Sequence, residues 1–342
     1  MLDNYDSTMA GIRPGSGKES CVDTSETWTP YSSITFTSDP IVVSFWAAER
    51  VFNRGKCGLG YRHSVVRSLD RCNDEPMSDV PTPVAYVTGA SRGIGRLIAT
   101  ALANDGALTV GFARPSEDLD SLRNEQGTIE AIPMDVTDPS SVTDAFSNAV
   151  ESVGPPTLLV TCAGSIDALG PIVTVDPELW WNAVAVDLRR TMLCAQASLP
   201  LMSAQGAGRI VTVYGNLGDD GLEHVSAFAA AKAGIARFAE TLAAELSGTG
   251  VLAVCIHPGF VRTAMTESMA YSDEGRAWLP EFAERAADHW GEGDGAVDLV
   301  RRISAGHADT LGGRIIHVAD DLDDVSEVCA SDPDRRRLRI GR

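Results

Sequence analysis

The sequence has no long apolar run, no closely paired cysteines and very little lysine. No stretch of its 342 residues approaches the roughly 18 to 20 apolar residues that a membrane-spanning helix needs. Residues 1–20 lack the basic start and apolar core of a signal peptide, so we expect a cytoplasmic protein. The seven cysteines form no Cys-x-x-Cys pair. This spacing predicts reduced thiols rather than a disulfide framework, and it predicts no metal site.

Positive charge is scarce as well. The formal net charge of −19 argues against a nucleic-acid partner, because such surfaces need clustered Lys and Arg. The one basic run, Arg335–Arg337, lies within residues 330–342, where we expect a solvated basic tail. Three of the 28 basic residues are lysines, and Lys232 is the only lysine after residue 56. We therefore expect Lys232 to be needed for its own chemistry.

Residues 1–76 differ from the rest of the chain. They show no sustained period of 2 or 3.6, and turn-forming clusters interrupt them repeatedly. Met77 opens a short polar lead directly before the first strong strand. Two interpretations stay open: a flexible extension, or a start codon assigned too early.

From residue 83 onward, apolar strand-like runs alternate with helical stretches. This order predicts one α/β domain over residues 77–342, a doubly wound parallel sheet of about seven strands with helices on both faces. Residues 260–290 are irregular and helical and carry Trp278, Phe282 and Trp290. These aromatic side chains suggest a substrate lid with an apolar pocket wall, and core packing explains them equally well. Strands are predicted at 84–87, 108–112, 128–133, 157–161, 209–214, 251–256 and 314–318, and the longest helices at 177–202 and 227–246.

A glycine-rich turn, Thr88–Gly95, falls between the first predicted strand and the first helix. Glycines allow a tight turn and let the backbone approach a pyrophosphate at a helix N-terminus. The strand-turn-helix context is the condition under which such glycines indicate a nucleotide site. The candidate contacts are Gly89, Ser91, Arg92, Gly93, Ile94 and Gly95.

The spacing Gly-x-x-x-Gly-x-Gly resembles that of the short-chain dehydrogenase/reductase (SDR) family, a Rossmann-type fold, and the resemblance extends over about residues 83–320. Cys162-Ala163-Gly164 stands in place of Asn-Asn-Ala-Gly, and Phe228 to Lys232 stands where the family has Tyr-x-x-x-Lys. The resemblance implies further cofactor contacts at Asp135, Val136, Ala163, Gly164, Lys232, Pro258 and Gly259.

The end of the second strand bears on which nicotinamide cofactor is bound. An acidic residue there would bond a ribose 2′-hydroxyl and repel a 2′-phosphate. The chain has Ala113 followed by Arg114 instead, and Arg92 lies in the glycine turn. Two guanidinium groups favour a phosphate, so we predict NADP(H). The alternative is that Arg114 is an ordinary surface arginine.

The resemblance also implies an incomplete catalytic set. In the family, a tyrosine exchanges a proton with the substrate, a serine orients the substrate, and an asparagine supports a proton relay. The lysine holds the nicotinamide ribose and lowers the pKa of the tyrosine. Here Phe228, Gly215 and Asp187 take the Tyr, Ser and Asn positions, and only Lys232 is retained. Neither phenylalanine nor glycine has a hydroxyl, so ordinary carbonyl reduction is expected to be weak or absent.

Three side chains are candidates for a replacement proton donor or base. Tyr214 neighbours the empty serine position, although alternation along a strand favours a packing role. If the helix begins early, His224 shares a face with Phe228 and Lys232, and histidine titrates near neutrality. It could equally be an exposed loop residue. Asp187 could pair with Lys232 or act as a base, or be a solvated helix aspartate.

Three functions stay open on the sequence. The first is an NADP(H)-dependent oxidoreductase with a replacement acid. The second is a non-redox cyclase, isomerase or lyase on the same scaffold. The third is a non-catalytic NADP(H)-binding subunit or sensor that supports a partner, such as a catalytic SDR enzyme. We expect a small, apolar substrate, no membrane partner, and a homodimer or homotetramer formed through the small-residue helix around Lys232.

Overall fold

Seven parallel strands form one sheet in the order β3-β2-β1-β4-β5-β6-β7 in the computed structural model, which describes residues 82–124, 129–215 and 221–337. The order reverses between β1 and β4, and ligands of such sheets bind at the carboxyl ends beside that reversal. The predicted doubly wound α/β fold is confirmed, whereas the predictions for residues 1–76 lie outside the described residues. The strands are β1 Val84–Thr88, β2 Leu108–Ala113, β3 Ile129–Pro133, β4 Leu158–Thr161, β5 Gly208–Val213, β6 Val251–His257 and β7 Ile315–His317.

Helices cover both faces of the sheet, and a single π-helical turn, Ala185–Arg189, lies between two of them. The predicted long helix over 177–202 is confirmed as helical structure from Pro177 to Gln205, and the π-helical turn is an irregularity within it that the sequence did not indicate. The helices are α1 Gly93–Asn104, α2 Glu117–Leu122, α3 Pro139–Val153, α4 Pro177–Val184, α5 Arg190–Gln205, α6 Ser226–Glu245, α7 Ala264–Tyr271, α8 Asp273–Trp278, α9 Phe282–His289, α10 Asp294–Ser304 and α11 Leu322–Ser331.

The alternation of side chains along β1 builds a separate core on each face of the sheet. All five residues of β1 are buried. Ala85 and Val87 pack in a cluster that includes Ile98 of α1, whereas Tyr86 packs against Phe146 of α3 with ring centroids 5.3 Å apart. Burial on both faces explains why Val84–Val87 is predominantly apolar; the Tyr86 hydroxyl donates to the Gly154 carbonyl (2.9 Å).

The C-terminal basic segment is docked rather than solvated as far as the structure describes it. The backbone N–H of Ile315 in β7 donates to the carbonyl of Arg336 (2.8 Å). The Arg336 side chain pairs with Asp320, and the Arg337 guanidinium lies 3.7 Å from Glu240. The prediction of a solvated tail is therefore wrong for Arg335–Arg337, because backbone pairing at the β7 edge and ion pairs hold the segment on the domain.

No helix in the described ranges is both long and apolar enough to cross a membrane.

Candidate functional site

The glycine turn after β1 has no room for side chains at two of its positions. Gly89 has a φ of +69°, and a Cβ there would lie 2.6 Å from the backbone nitrogen of Ala163. A Cβ on Gly95 would lie 2.4 Å from the Gly89 carbonyl oxygen. Strand β4, helix α1 and the turn therefore approach one another at backbone contact. This is the cradle that a pyrophosphate needs.

The start of α1 offers backbone N–H groups without a capping side chain. Arg92 is the N-cap residue and makes no capping hydrogen bond, and the first turn contains no acidic residue. The Arg96 guanidinium braces the turn by donating to the carbonyl of Ser91 (3.0 Å) and to the Ser121 hydroxyl (3.0 Å). Because the first N–H groups of a helix lack partners within it, this end fits an anionic group.

The carboxyl ends of β2 and β3 lie beside this turn in the sheet order. Ala113 is buried at the end of β2, whereas the side chains of Arg114 and Arg92 are exposed. After β3, the Asp135 carboxylate accepts hydrogen bonds from the backbone N–H (2.9 Å) and the hydroxyl (2.7 Å) of Thr137. Val136 is buried beneath it. The predicted cofactor contacts after β2 and β3 thus lie at the carboxyl ends of the strands, on the same side of the sheet as the glycine turn.

Lys232, Asp187 and Arg190 form a buried charge cluster next to the end of β4. The Lys232 ammonium lies 3.5 Å from Asp187 Oδ1 and donates to the Val213 carbonyl at the end of β5 (3.3 Å). Arg190 Nη2 lies 4.0 Å from the same Oδ1, and both the Asp187 and Arg190 side chains have no exposed surface. The π-helical turn carries Asp187 inward, and Arg190 follows it at the start of α5.

The cluster leaves several polar atoms without hydrogen bonds. Asp187 Oδ2 and all three guanidinium nitrogens of Arg190 have no protein hydrogen-bond partner. Burial lowers the pKa of Lys232, the Asp187 carboxylate opposes that shift, and the Arg190 guanidinium adds to it. Burial also raises the pKa of the Cys162 thiol to about 12, so this neighbour stays neutral. The prediction that Asp187 pairs with Lys232 is confirmed, and its solvated alternative is wrong.

Gly164 connects the charge cluster to the predicted nucleotide site. A Cβ on Gly164 would lie 2.9 Å from Asp187 Oδ1 and 3.3 Å from Met265 Cε of α7. The carboxylate therefore lies directly against the Ala163-Gly164 turn that follows β4. The buried charges and the predicted cofactor contacts share one wall.

Phe228 lies one helical turn before Lys232 on α6, with its ring centroid 4.9 Å from Lys232 Nζ. The ring packs among apolar side chains of the loops after β4 and β5 and of the helices that follow β6. The segment 260–290 contributes Met269, Leu279 and Phe282 to this buried cluster, as its core-packing alternative predicts. The cluster members around Phe228 are Ile166, Leu169, Leu222, Val225, Met269, Leu279 and Phe282.

Gly215 and Tyr214 follow β5. Gly215 has a φ of +84°, and a Cβ there would meet nothing within 4 Å among the described residues, which do not include 216–220. Tyr214 is 1% exposed and packs with Ile235 and Ala236 of α6 and with Cys255 of β6. This burial supports a packing role for Tyr214 over a role as replacement proton donor.

His224 does not share a helical face with Phe228 and Lys232. Helix α6 begins at Ser226, and His224 has a φ of +68°, outside helical geometry. Its Nδ1 lies 2.9 Å from the carbonyl oxygen of Trp278, and the two rings are 5.2 Å apart. The conditional expectation of a shared face is wrong, because the loop turns His224 toward helix α8 before α6 begins.

The turn after β6 adds residues that the sequence reasoning missed. His257 Nδ1 accepts a hydrogen bond from the backbone N–H of Gly259 (3.1 Å), which fixes the predicted Pro258-Gly259 turn. Thr263 caps α7, and its Cγ2 would lie 3.3 Å from a Cβ on Gly93. The Thr-x-x-Thr spacing before a helix could have indicated this cap. Arg190 was also missed, although its spacing of three residues from Asp187 permits an ion pair.

Residues 83–274, more than half of the chain, match the family model of the short chain dehydrogenases. A short chain dehydrogenase of Pseudocercospora fijiensis is 34% identical over 187 residues, which cover 53% of this chain and 60% of that relative. The chain thus spans less than two thirds of the fungal relative's length.

A bacterial relative and a solved structure match over more of their length. The 3-oxoacyl-[acyl-carrier-protein] reductase of Salmonella typhimurium is 30% identical over 236 residues, or 69% of this chain and 95% of the relative. The structure of an actinorhodin polyketide ketoreductase variant with NADPH has a TM-score of 0.63 and 27% identity, over 69% of this chain and 95% of that one. This chain belongs to the short-chain dehydrogenase/reductase family, an oxidoreductase family that binds nicotinamide cofactors.

Proposed function

We propose that this chain binds NADP(H) at the carboxyl edge of its sheet and lacks the tyrosine-dependent carbonyl reduction of its family. The observation that carries the first half is the backbone cradle at Gly89 and Gly95, together with the uncapped start of α1. Those groups would hold the pyrophosphate, and Lys232 would hold the nicotinamide ribose. A bound NADPH supplies a hydride.

The choice of NADP(H) over NAD(H) rests on Arg114 and Arg92. Both side chains are exposed, and no acidic residue follows β2 directly, where one would repel a 2′-phosphate. The ketoreductase structure that resembles this chain contains NADPH. The chain has a formal net charge of −19, so two arginines close to one predicted phosphate position are unusual for this sequence.

Comparing the dissociation constants of NADPH and NADH tests the cofactor choice. Arg114→Ala should weaken NADPH binding by about tenfold and leave NADH binding unchanged, because only NADPH carries the 2′-phosphate. Arg335→Ala is a matched control: it removes the same charge beside β7, at the opposite edge of the sheet. Tighter binding of NADH than of NADPH by the unmodified chain would refute the choice.

The second half of the proposal rests on what surrounds Lys232. The family resemblance assigns the proton-donating position to Phe228, which has no titratable proton. Asp187 is fully buried against Lys232, Tyr214 is buried in the core, and His224 lies against Trp278. None of these three side chains is therefore placed to act as a proton donor beside the Phe228 ring.

Three assays separate the proposal from its alternatives. NADPH binding without ketone-dependent NADPH oxidation supports the proposal. Ketone-dependent oxidation that His224→Ala abolishes would favour an oxidoreductase with a relocated acid. Turnover of a substrate with no change in the nicotinamide absorbance would favour a cyclase, isomerase or lyase on this scaffold.

A further inference from the structure

The charges beneath the Ala163-Gly164 turn do not balance. Asp187 supplies one negative charge, while Lys232 and Arg190 supply two positive charges. The Lys232 side chain is 7% exposed and the other two have no exposed surface. While Lys232 is protonated, one net positive charge is therefore held in a site that solvent screens poorly.

Among the residues that the structure describes, neighbouring groups do not cancel this excess. The titratable groups that interact with the cluster are thiols: Cys162 after β4, Cys194 on α5 and Cys255 on β6. Burial raises the pKa of each thiol to about 12, so all three are neutral at ordinary pH. Strand β5 contributes only the Val213 carbonyl dipole, which accepts from Lys232.

The excess positive charge lies where it would affect the nicotinamide ring of a bound cofactor. Asp187 Oδ1 lies against Gly164, and Lys232 lies against the end of β5, on the wall that would take the nicotinamide half. The oxidised nicotinamide ring carries a positive charge and the reduced ring carries none. The phosphates and the adenosine half are the same in both forms, so their contacts cancel in a comparison.

We infer that Asp187, Lys232 and Arg190 together make this site selective for NADPH over NADP⁺, with Arg190 setting the buried net charge. The inference rests on the proposed function, since it requires that the site bind the cofactor. It makes the chain a binder of the reduced form, which suits a subunit that responds to the reduction state of the NADP(H) pool.

The expected selectivity is about tenfold, equal to about 1.4 kcal/mol. Two unit charges about 10 Å apart interact with that order of energy at an effective dielectric constant of about 20. The measured quantity is the ratio of the NADP⁺ to the NADPH dissociation constant. Each ratio is internally controlled, because a loss of folded protein affects both constants alike.

The test is isothermal titration of the full-length chain and three variants at mildly acidic pH, which favours the protonated form of Lys232. Arg190→Met makes the cluster neutral and should bring the ratio to within about twofold of one. Asp187→Asn, which has nearly the same shape, removes the buried negative charge but also the group that opposes the lowering of the Lys232 pKa. While Lys232 stays protonated, at the most acidic pH at which the variant is folded, the ratio should rise above that of the unmodified chain. Arg190→Lys keeps the charge and should keep the ratio.

The outcomes separate the inference from the proposed function. If neither cofactor form binds the unmodified chain, the proposed function is wrong. If both forms bind it equally well, the proposed function stands and the inference is overturned. If Arg190→Met does not fold, Asp187→Asn still decides: an unchanged or lower ratio in that variant contradicts the electrostatic argument.

Discussion

Restoring the hydroxyls at Phe228 and Gly215 should create carbonyl reduction. Helix α6 already places the Phe228 ring 4.9 Å from the Lys232 ammonium, so the phenol of Phe228→Tyr would gain a cationic neighbour that favours its ionised form. Gly215→Ser has open space for its side chain. A positioned acid contributes about 10² to 10⁴-fold, or about 3 to 5 kcal/mol of barrier lowering.

The two substitutions also have a structural cost. Serine at the positive φ of Gly215 costs about 1 to 2 kcal/mol, because a Cβ crowds the backbone in that region. A hydroxyl placed in the apolar cluster around Phe228 costs about 1 to 3 kcal/mol if it finds no partner. Thermal unfolding of the double variant should therefore begin at a lower temperature, and NADPH binding must be checked before its rate is interpreted.

The assay is ketone-dependent oxidation of NADPH by the full-length chain. The double variant should exceed the unmodified chain by at least tenfold, and each single change should do less, because such groups act as a unit. Phe282→Tyr is a matched control, since it adds the same hydroxyl to the same apolar cluster away from Lys232. Fast ketone reduction by the unmodified chain, with no gain in the double variant, would refute the reasoning.

Three further outcomes are expected. Gly95→Ala should weaken NADPH binding by about tenfold or more, because its Cβ would collide with the Gly89 carbonyl. Gly312→Ala is the control, since a Cβ there makes ordinary contacts, and it should bind NADPH normally. Equal NADPH affinities of the two variants would contradict the proposed pyrophosphate site. Since burial lowers the pKa of Lys232, raising the pH should remove its proton earlier than from an ordinary lysine. The ratio of the NADP⁺ to the NADPH dissociation constant should then fall toward one, and a ratio that rises with pH would oppose the charge argument. Finally, helices α4 and α6 should form a dimer or tetramer contact that includes Trp181, which is 62% exposed. Light scattering that shows a monomer at micromolar concentration would reject this contact.

The parts of the fold that were predictable are those that local chemistry dictates. Strand β1 is predominantly apolar because both of its faces are buried, and the glycine turn follows it directly. Asp138 stands directly before Pro139, a spacing typical of a helix start, and its side chain caps α3 by accepting a hydrogen bond from the backbone N–H of Ser140. In each case, the determining contacts lie within a few residues of one another.

The parts that were not predictable depend on contacts between distant segments. Arg190 has the sequence context of a surface arginine, yet the packing of α5 against the sheet buries it completely. The docking of Arg336 depends on its meeting β7 and Asp320. The spacing of four residues suggests that His224 lies one helical turn before Phe228. Its left-handed backbone instead turns the side chain toward Trp278.

The central claim is that a complete nucleotide site stands beside an incomplete proton-transfer site, and a single-turnover experiment tests it most directly. The full-length chain, saturated with NADPH as judged by titration, is mixed with an excess of a simple ketone while the absorbance of the reduced nicotinamide is followed. We predict that NADPH binds and that its absorbance decays no faster than in the protein-free mixture. Rapid decay in the unmodified chain, or failure to bind NADPH at all, would contradict the claim.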